Sequence, residues 1–205
     1  MALSPHVQSL FWLLGYFIPR YGAGALLDSL HPHATYVFEL LFVAAYFFCN
    51  YAALRIKAKL GLRFVAEVIL AVCLGGTARV GCTLLNIPFP LDLSSQELIV
   101  LLLVVSPILE EALFRQALLL PLEQLLKGRK TAIIAVSALL FSAGHLAALF
   151  ILPPEYHGFI YYQGAYTMVL GLWLGHAYYR YGGLVAAVLL HGGFNLGFFV
   201  ADRFW

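Results

Sequence analysis

Charged residues are scarce in this sequence. Lys, Arg, Asp and Glu make up 11% of the 205 residues, whereas a soluble globular domain carries about 25%. Hydrophobic residues make up 62% of the chain, which excludes an ordinary soluble domain. The composition instead predicts an all-α protein, a polytopic transmembrane helical bundle integral to the membrane.

Other features are also missing. The net charge of +2 is too small and too scattered for a nucleic-acid-binding surface. Cys49, Cys73 and Cys82 form no CxxC pair, so we expect reduced thiols that pack as small apolar groups. The first six residues carry no Lys or Arg, unlike the basic start of a cleavable signal peptide. We therefore expect the first helix itself to direct insertion.

Hydropathy divides the chain into about seven apolar segments, each close to the length of one membrane span. The first is interrupted by Pro19 and Gly22, which favours a short span followed by a re-entrant or interfacial piece. No low-complexity tract, repeat or domain boundary is visible, so we expect residues 1–205 to form one domain. The expected segments are 7–27, 35–55, 64–85, 98–120, 131–152, 159–179 and 184–200.

Basic residues are distributed unevenly between the two sets of loops. One set holds Arg20 and Arg203, and the other holds most of the remaining basic residues: Arg55, Lys57, Lys59, Arg63, Lys127, Arg129, Lys130 and Arg180. Because basic loops stay in the cytoplasm, loops 56–63, 121–130 and 180–183 are predicted to be cytoplasmic. Seven spans then place the N-terminus inside and the C-terminus outside. In a bacterium, the membrane would be the inner membrane.

Charges also occur inside the apolar segments. Arg79 is expected to extend toward a lipid headgroup, with pairing to an acid such as Glu67 as the alternative. Glu39 and Glu67 are interpreted as helix-packing or near-interface acids. The fourth segment carries Glu110, Glu111 and Arg115 at the centre of an apolar run, where a charge costs about 2.5–3.5 kcal/mol and usually marks function.

Helix geometry separates the two adjacent glutamates of the fourth segment. Glu111 and Arg115 are four residues apart, so they can form an ion pair along one face. Glu110 lies about 100° further round the helix and points elsewhere. We therefore expect Glu111 and Arg115 to be scaffold and Glu110 to be the working acid.

Two later segments carry polar residues at the same four-residue spacing. Phe141 and His145 share one helix face, and His191 and Asn195 share another. At a rise of about 1.5 Å per residue, Glu110, His145 and Asn195 fall at similar depths and His191 is somewhat shallower. These groups are therefore predicted to meet in one cavity near mid-membrane.

The three stretches also resemble a known family. Residues 110–115 read EEALFR, residues 141–145 read FSAGH and residues 191–195 read HGGFN. They are similar to the EExxxR, FxxxH and HxxxN/D motifs of the CPBP family, which comprises CAAX prenyl endopeptidases and bacteriocin-processing Abi-type proteins. The resemblance covers roughly residues 98–200 and implies a protease core there.

The resemblance implies an intramembrane endopeptidase in which Glu110 and His145 activate water. His191 and Asn195 would then stabilise the oxyanion of the tetrahedral intermediate. These chemical groups suit the task independently, because hydrolysis needs a general base and an imidazole or amide N–H is a suitable oxyanion donor.

Three further residues are expected to support these groups. The resemblance implies that Glu111 and Arg115 shape the site, and Phe141 completes the motif that carries the histidine of the fifth segment. All three are expected to be supporting residues.

A metal site is the alternative to direct water activation. Glu110, His145 and His191 could hold zinc with an open fourth position. However, the chain has no HExxH, and each histidine is isolated on its helix. We therefore expect no cofactor, with zinc as the alternative.

The same buried groups leave two other functions open. A proton-coupled transporter could use acids and imidazoles as a relay, although no inverted repeat is visible. A non-enzymatic bacteriocin-immunity or membrane scaffold protein is the other. The expected partners are membrane lipid and a peptide or protein substrate in or at the membrane, such as a prenylated protein, a leader peptide or a sorting signal.

Overall fold

The protein is a bundle of helices. The structure is a computed structural model that describes residues 4–22 and 34–204, and these two ranges contain no strand. The helices are α1 (Pro5–Gly22), α2 (Ala34–Asn50), α3 (Leu62–Leu84), α4 (Gln96–Val100), α5 (Ser106–Ala112), α6 (Leu119–Leu125), α7 (Lys130–Leu146), α8 (His157–Tyr181) and α9 (Leu184–Phe204).

Seven helical segments run through the described residues, because α4, α5 and α6 join through two π-helical turns at Leu101–Val105 and Leu113–Ala117. We call this run, residues 96–125, the broken helix. The predicted all-α membrane bundle of about seven segments is thereby confirmed. Residues 23–27 of the expected first segment lie outside the described residues. Within residues 4–22 and 34–204, four helices are long and apolar enough to cross a membrane: Ala34–Ala53, Leu62–Leu84, Lys130–Phe150 and Leu184–Phe204.

The π-helical turns interrupt the broken helix on both sides of the glutamates. Pro107 lies in the first turn of α5, where its missing N–H leaves a backbone carbonyl without its usual partner. At the second turn, the N–H of Leu118 donates to the carbonyl of Leu113 at 2.8 Å, a five-residue reach instead of four. Such turns often occur at functional sites, and here they bracket α5.

Two glycines bring α3 and α9 into backbone contact. A Cβ atom at Gly75 would overlap the carbonyl oxygen of Phe194, and one at Gly197 would overlap the carbonyl oxygen of Val72. Small residues at helix contacts allow this approach in membranes. The tight α3–α9 pair therefore fixes the position of the helix that carries His191.

The three basic segments lie at one end of the bundle. The N–H of Lys59 donates to the carbonyl of Tyr181 at 2.8 Å, and Arg55 pairs with Glu123 at 2.8 Å. At the other end, the guanidinium of Arg203 donates to the carbonyl of Leu93 at 2.7 Å. The bundle therefore has one end that gathers the basic segments and an opposite end formed by the loop before α4 and the end of α9.

Arg79 pairs with an acid, but not with Glu67, the acid named as its alternative partner. Its Nε pairs with Asp202 at 2.7 Å, and its Nη1 donates to Thr83 at 2.7 Å. Glu67 instead accepts a hydrogen bond from Tyr181 at 2.9 Å. The predicted pairing of Arg79 with Glu67 is wrong because Asp202, 123 residues away in sequence, lies beside the C-terminal half of α3.

Candidate active site

The four candidate catalytic side chains line a single cavity. α5 supplies Glu110, α7 supplies His145, and α9 supplies His191 and Asn195. All four line a cavity of about 260 Å³. The three distant segments therefore meet inside the bundle, in the arrangement that matched depths had indicated.

The carboxylate of Glu110 lies between the two imidazoles. Its Oε2 is 4.0 Å from Nε2 of His145 and 4.0 Å from Nε2 of His191. These separations exceed direct hydrogen-bond lengths but suit a bridging water molecule. Glu110 Oε2 is also buried without a hydrogen-bond partner in the described part of the chain. This acceptor atom is therefore oriented for a small polar group.

Both imidazoles have one ring nitrogen fixed by an acceptor. Nδ1 of His145 contacts the carbonyl of Phe141 at 2.9 Å, and Nδ1 of His191 contacts Oε1 of Glu111 at 3.0 Å. Because a carbonyl and a carboxylate oxygen only accept, each Nδ1 carries the proton and donates. In a neutral ring, Nε2 then faces Glu110 with a free lone pair.

The carboxylate that contacts His191 is itself part of a buried ion pair. Nε of Arg115 lies 2.8 Å from Oε2 of Glu111, and both side chains are 0% exposed. Nη1 of Arg115 also donates to the hydroxyl of Ser137 at 2.7 Å, which in turn donates to the carbonyl of Phe114 at 3.2 Å. The predicted Glu111–Arg115 pair is therefore present, and it extends across to α7.

Phe141 packs against the charged and aromatic groups of the site. Its ring meets His145 edge-on at 4.8 Å and His191 edge-on at 5.8 Å between ring centroids. The guanidinium of Arg115 lies 5.6 Å from its centroid, within the range of a cation–π contact. Phe141 is fully buried, so it restricts the orientation of both imidazoles.

Asn195 uses one amide N–H on the protein itself. Its Nδ2 donates to the carbonyl of Leu102 at 2.8 Å, and Leu102 lies in the first π-helical turn of the broken helix. A side-chain amide has two N–H groups, so one remains for a ligand. The first N–H instead fastens α9 to the broken helix.

A second cavity opens onto the same acid. It has a volume of about 510 Å³ and shares Tyr36, Glu110 and His145 with the smaller cavity, and residues of α1 and α2 form one of its walls. On that wall Arg20 pairs with Glu39 at 3.1 Å, and the hydroxyl of Tyr16 donates to Glu39 at 3.0 Å. Glu39, interpreted from the sequence as a packing acid, therefore lies beside the site.

The described residues do not form an evident metal centre. Among residues 4–22 and 34–204, no group of three or more His, Cys, Asp and Glu side chains is arranged to hold a metal ion. The zinc set considered for Glu110, His145 and His191 therefore receives no support from their geometry.

The sequence reading missed several contributors to the site. Ser137 shares a helix face with Phe141 and His145 at a spacing of four, and that spacing was a usable signal. The carbonyl of Leu102 carries no side-chain signal. Tyr36, which lines both cavities, lies in a segment without any of the three motifs.

Comparison with known protein families gives one match for this chain. Residues 95–197, just over half of the chain, match the family described as type II CAAX prenyl endopeptidase Rce1-like. The matched range includes all four candidate catalytic residues. No curated protein and no solved structure matches the chain. The match confirms the CPBP resemblance and implies proteolytic activity, and the chain belongs to the Rce1-like family of type II CAAX prenyl endopeptidases.

Proposed function

We propose that this integral membrane protein is an endopeptidase that hydrolyses a peptide bond of a membrane-associated substrate at the smaller cavity. The observation that most strongly supports this proposal is the position of Glu110 Oε2, 4.0 Å from Nε2 of both His145 and His191. A water molecule that bridges these atoms has two acceptors: Oε2 of Glu110 takes its proton, and Nε2 of His145 orients it.

Glu110 and His145 act on the water. One water proton passes to Oε2 of Glu110, while Nε2 of His145 accepts a hydrogen bond from the other O–H. The water oxygen then attacks the carbonyl carbon of the substrate, and the proton later passes to the leaving nitrogen. A positioned general base of this kind contributes about 10²–10⁴ in rate.

His191 and Asn195 stabilise the negative oxygen of the intermediate. Nε2 of His191 donates when the ring carries a second proton, and the Glu111 carboxylate beside Nδ1 balances that charge. The second N–H of Asn195 is the other donor. Donors of this type are typically worth about 10²–10³ in kcat each.

The remaining site residues hold these groups in place. Glu111 fixes His191, Arg115 compensates the buried carboxylate, and Phe141 limits the rotation of both rings. In this proposal no metal ion takes part, because a carboxylate and imidazoles supply the base and the donors. Activity that is lost on chelation and restored only by zinc would contradict it.

We also propose one domain over residues 1–205, with the protease core at about residues 98–200. Loops 56–63, 121–130 and 180–183 face the cytoplasm, so that the N-terminus is inside and the C-terminus outside. The gathering of the basic segments at one end of the bundle supports this orientation. Labelling of single cysteines placed in these loops, from either side of the membrane, tests it.

The family description supports a prenylated peptide as substrate. In such a peptide a cysteine near the C-terminus carries an isoprenoid, which anchors it in lipid. Leader peptides and sorting signals are the other substrate classes to be compared. A quenched fluorescent peptide with an S-farnesylated CAAX end is therefore the first probe.

The decisive experiment places purified protein in liposomes with this peptide. Wild type is expected to cleave it, whereas Glu110→Ala, His145→Ala and His191→Ala leave it intact while remaining folded and inserted. Glu67→Ala, which alters a partly buried acid outside both cavities, is the matched control and retains cleavage. Wild-type turnover by Glu110→Ala would contradict the proposal.

The same preparation separates the two rival functions. Proton or solute flux without hydrolysis of any peptide would favour a transporter. An immunity or scaffolding effect in cells that survives Glu110→Ala would favour a non-enzymatic protein. A proteomic comparison of cells with wild type and Glu110→Ala identifies native substrates.

A further inference from the structure

Three side chains line both cavities: Tyr36, Glu110 and His145. Two of them are the proposed water-activating pair. Tyr36 lies on α2, outside the matched range of residues 95–197. Ser106 and Glu110 line the smaller cavity together with Tyr36. Tyr36 is therefore placed at the junction where the two cavities meet.

The site is short of hydrogen-bond donors. The Nδ1–H groups of His145 and His191 are used by a carbonyl and a carboxylate, and one N–H of Asn195 is used by Leu102. The oxyanion must therefore rely on a second proton on His191 and on the remaining amide N–H of Asn195. A neutral hydroxyl at the junction adds a donor that needs no extra proton.

Two other hydroxyl groups that line the cavities already donate to acceptors of the protein. Tyr16 in the larger cavity donates to Glu39 at 3.0 Å. Thr167 in the smaller cavity donates to the carbonyl of Gln163 at 2.8 Å. Tyr36 differs from both because it lines both cavities, as Glu110 does.

We propose that the O–H of Tyr36 donates a hydrogen bond to the carbonyl oxygen of the scissile peptide bond and completes the oxyanion site. Tyrosine hydroxyls serve this role in preorganised sites. The inference rests on the proposed function and deepens it, because it assigns a catalytic residue to the N-terminal helices. The substrate then crosses the junction, with chain on one side of the scissile bond in each cavity.

The test uses Tyr36→Phe, which keeps the ring and removes only the hydroxyl. With the S-farnesylated quenched peptide, kcat is expected to fall about 10²–10³-fold, with KM within about twofold of wild type, because a contact made only in the transition state lowers kcat and kcat/KM equally. Tyr162→Phe is the control. It removes a hydroxyl that donates to the carbonyl of Ala78 at 2.9 Å and lines neither cavity, so kcat is expected to be unchanged.

Each outcome decides between the inference and the proposed function. Unchanged kcat in Tyr36→Phe, beside an inactive Glu110→Gln, would overturn the role of Tyr36 and leave the proposed function standing. A raised KM with unchanged kcat would also overturn it, because the hydroxyl would then bind the substrate and the transition state equally. A wild-type protein that leaves the peptide intact would refute both.

A second variant tests the same hydrogen bond if Tyr36→Phe does not fold. Incorporation of O-methyltyrosine at position 36 keeps the ring and the oxygen atom but removes the O–H donor. The value of kcat is then expected to fall about 10²–10³-fold, as in Tyr36→Phe. A kcat within a few fold of wild type in a folded O-methyltyrosine protein would overturn the inference.

Discussion

The buried ion pair offers the sharpest test of how the site is held together. Arg115→Met removes the guanidinium while keeping a long apolar side chain. The Glu111 carboxylate, which is 0% exposed, then keeps only His191 as a close partner at 3.0 Å. The variant therefore leaves a buried carboxylate with much of its charge uncompensated.

The expected loss of stability in Arg115→Met follows from the burial of the ion pair. Breaking a buried pair by removing one partner costs about 3–5 kcal/mol. For a chain of this size, 1 kcal/mol corresponds to a shift of about 2–4 °C in Tm. Arg115→Met is therefore expected to lower Tm by about 6–20 °C, and to reduce cleavage because Glu111 no longer holds His191 in one orientation.

The matched control is a second Glu–Arg pair at the same sequence spacing. Arg63 and Glu67 are also four residues apart on a helix, at 3.5 Å, but the Arg63 side chain is 71% exposed. Exposed pairs contribute about 0–1 kcal/mol, so Arg63→Met should shift Tm by less than about 4 °C. Thermal unfolding in detergent, followed by circular dichroism, measures both variants.

Equal, small shifts in the two variants would refute this reasoning. That result would mean that the Glu111 carboxylate is solvated or neutral without Arg115. The pair could then not be the scaffold of the site.

Two other substitutions test packing around the site in the same unfolding assay. Gly75→Ala should destabilise the protein by about 1–3 kcal/mol, because the new methyl group overlaps the backbone of Phe194, whereas Gly76→Ala meets only ordinary contacts; equal stability of the two would contradict the close packing of α3 on α9. Ser137→Ala should cost about 1.5–3 kcal/mol, since it removes a hydrogen bond to the charged Arg115, and an unchanged Tm would show that this bond carries no net stability.

The sequence predicted the features that depend on residues close together in the chain. Long apolar runs define the seven segments, and the four-residue spacing of Glu111 and Arg115 yields a pair that the structure contains at 2.8 Å. The three motifs placed Glu110, His145 and Asn195 at similar depths, with His191 somewhat shallower, because rise per residue is fixed in a helix. Their meeting in one cavity follows from that agreement.

Contacts between elements that lie far apart in the chain could not be predicted from the sequence. Arg79 pairs with Asp202 because α3 and α9 pack closely, which hydropathy does not reveal. The carbonyl of Leu102 receives Asn195 at a π-helical turn, and no residue type signals such a turn. Tyr36 reaches the site from a helix without a motif, since three-dimensional packing alone brings α2 beside α5.

The most direct test of the central claim is the single-turnover rate of Glu110→Gln on the S-farnesylated peptide. The substitution keeps the shape of the side chain and removes its ability to take a proton from water. We expect a rate about 10²–10⁴-fold below that of wild type, with peptide binding and Tm retained. A Glu110→Gln rate within a few fold of wild type would contradict the claim that this carboxylate activates the water.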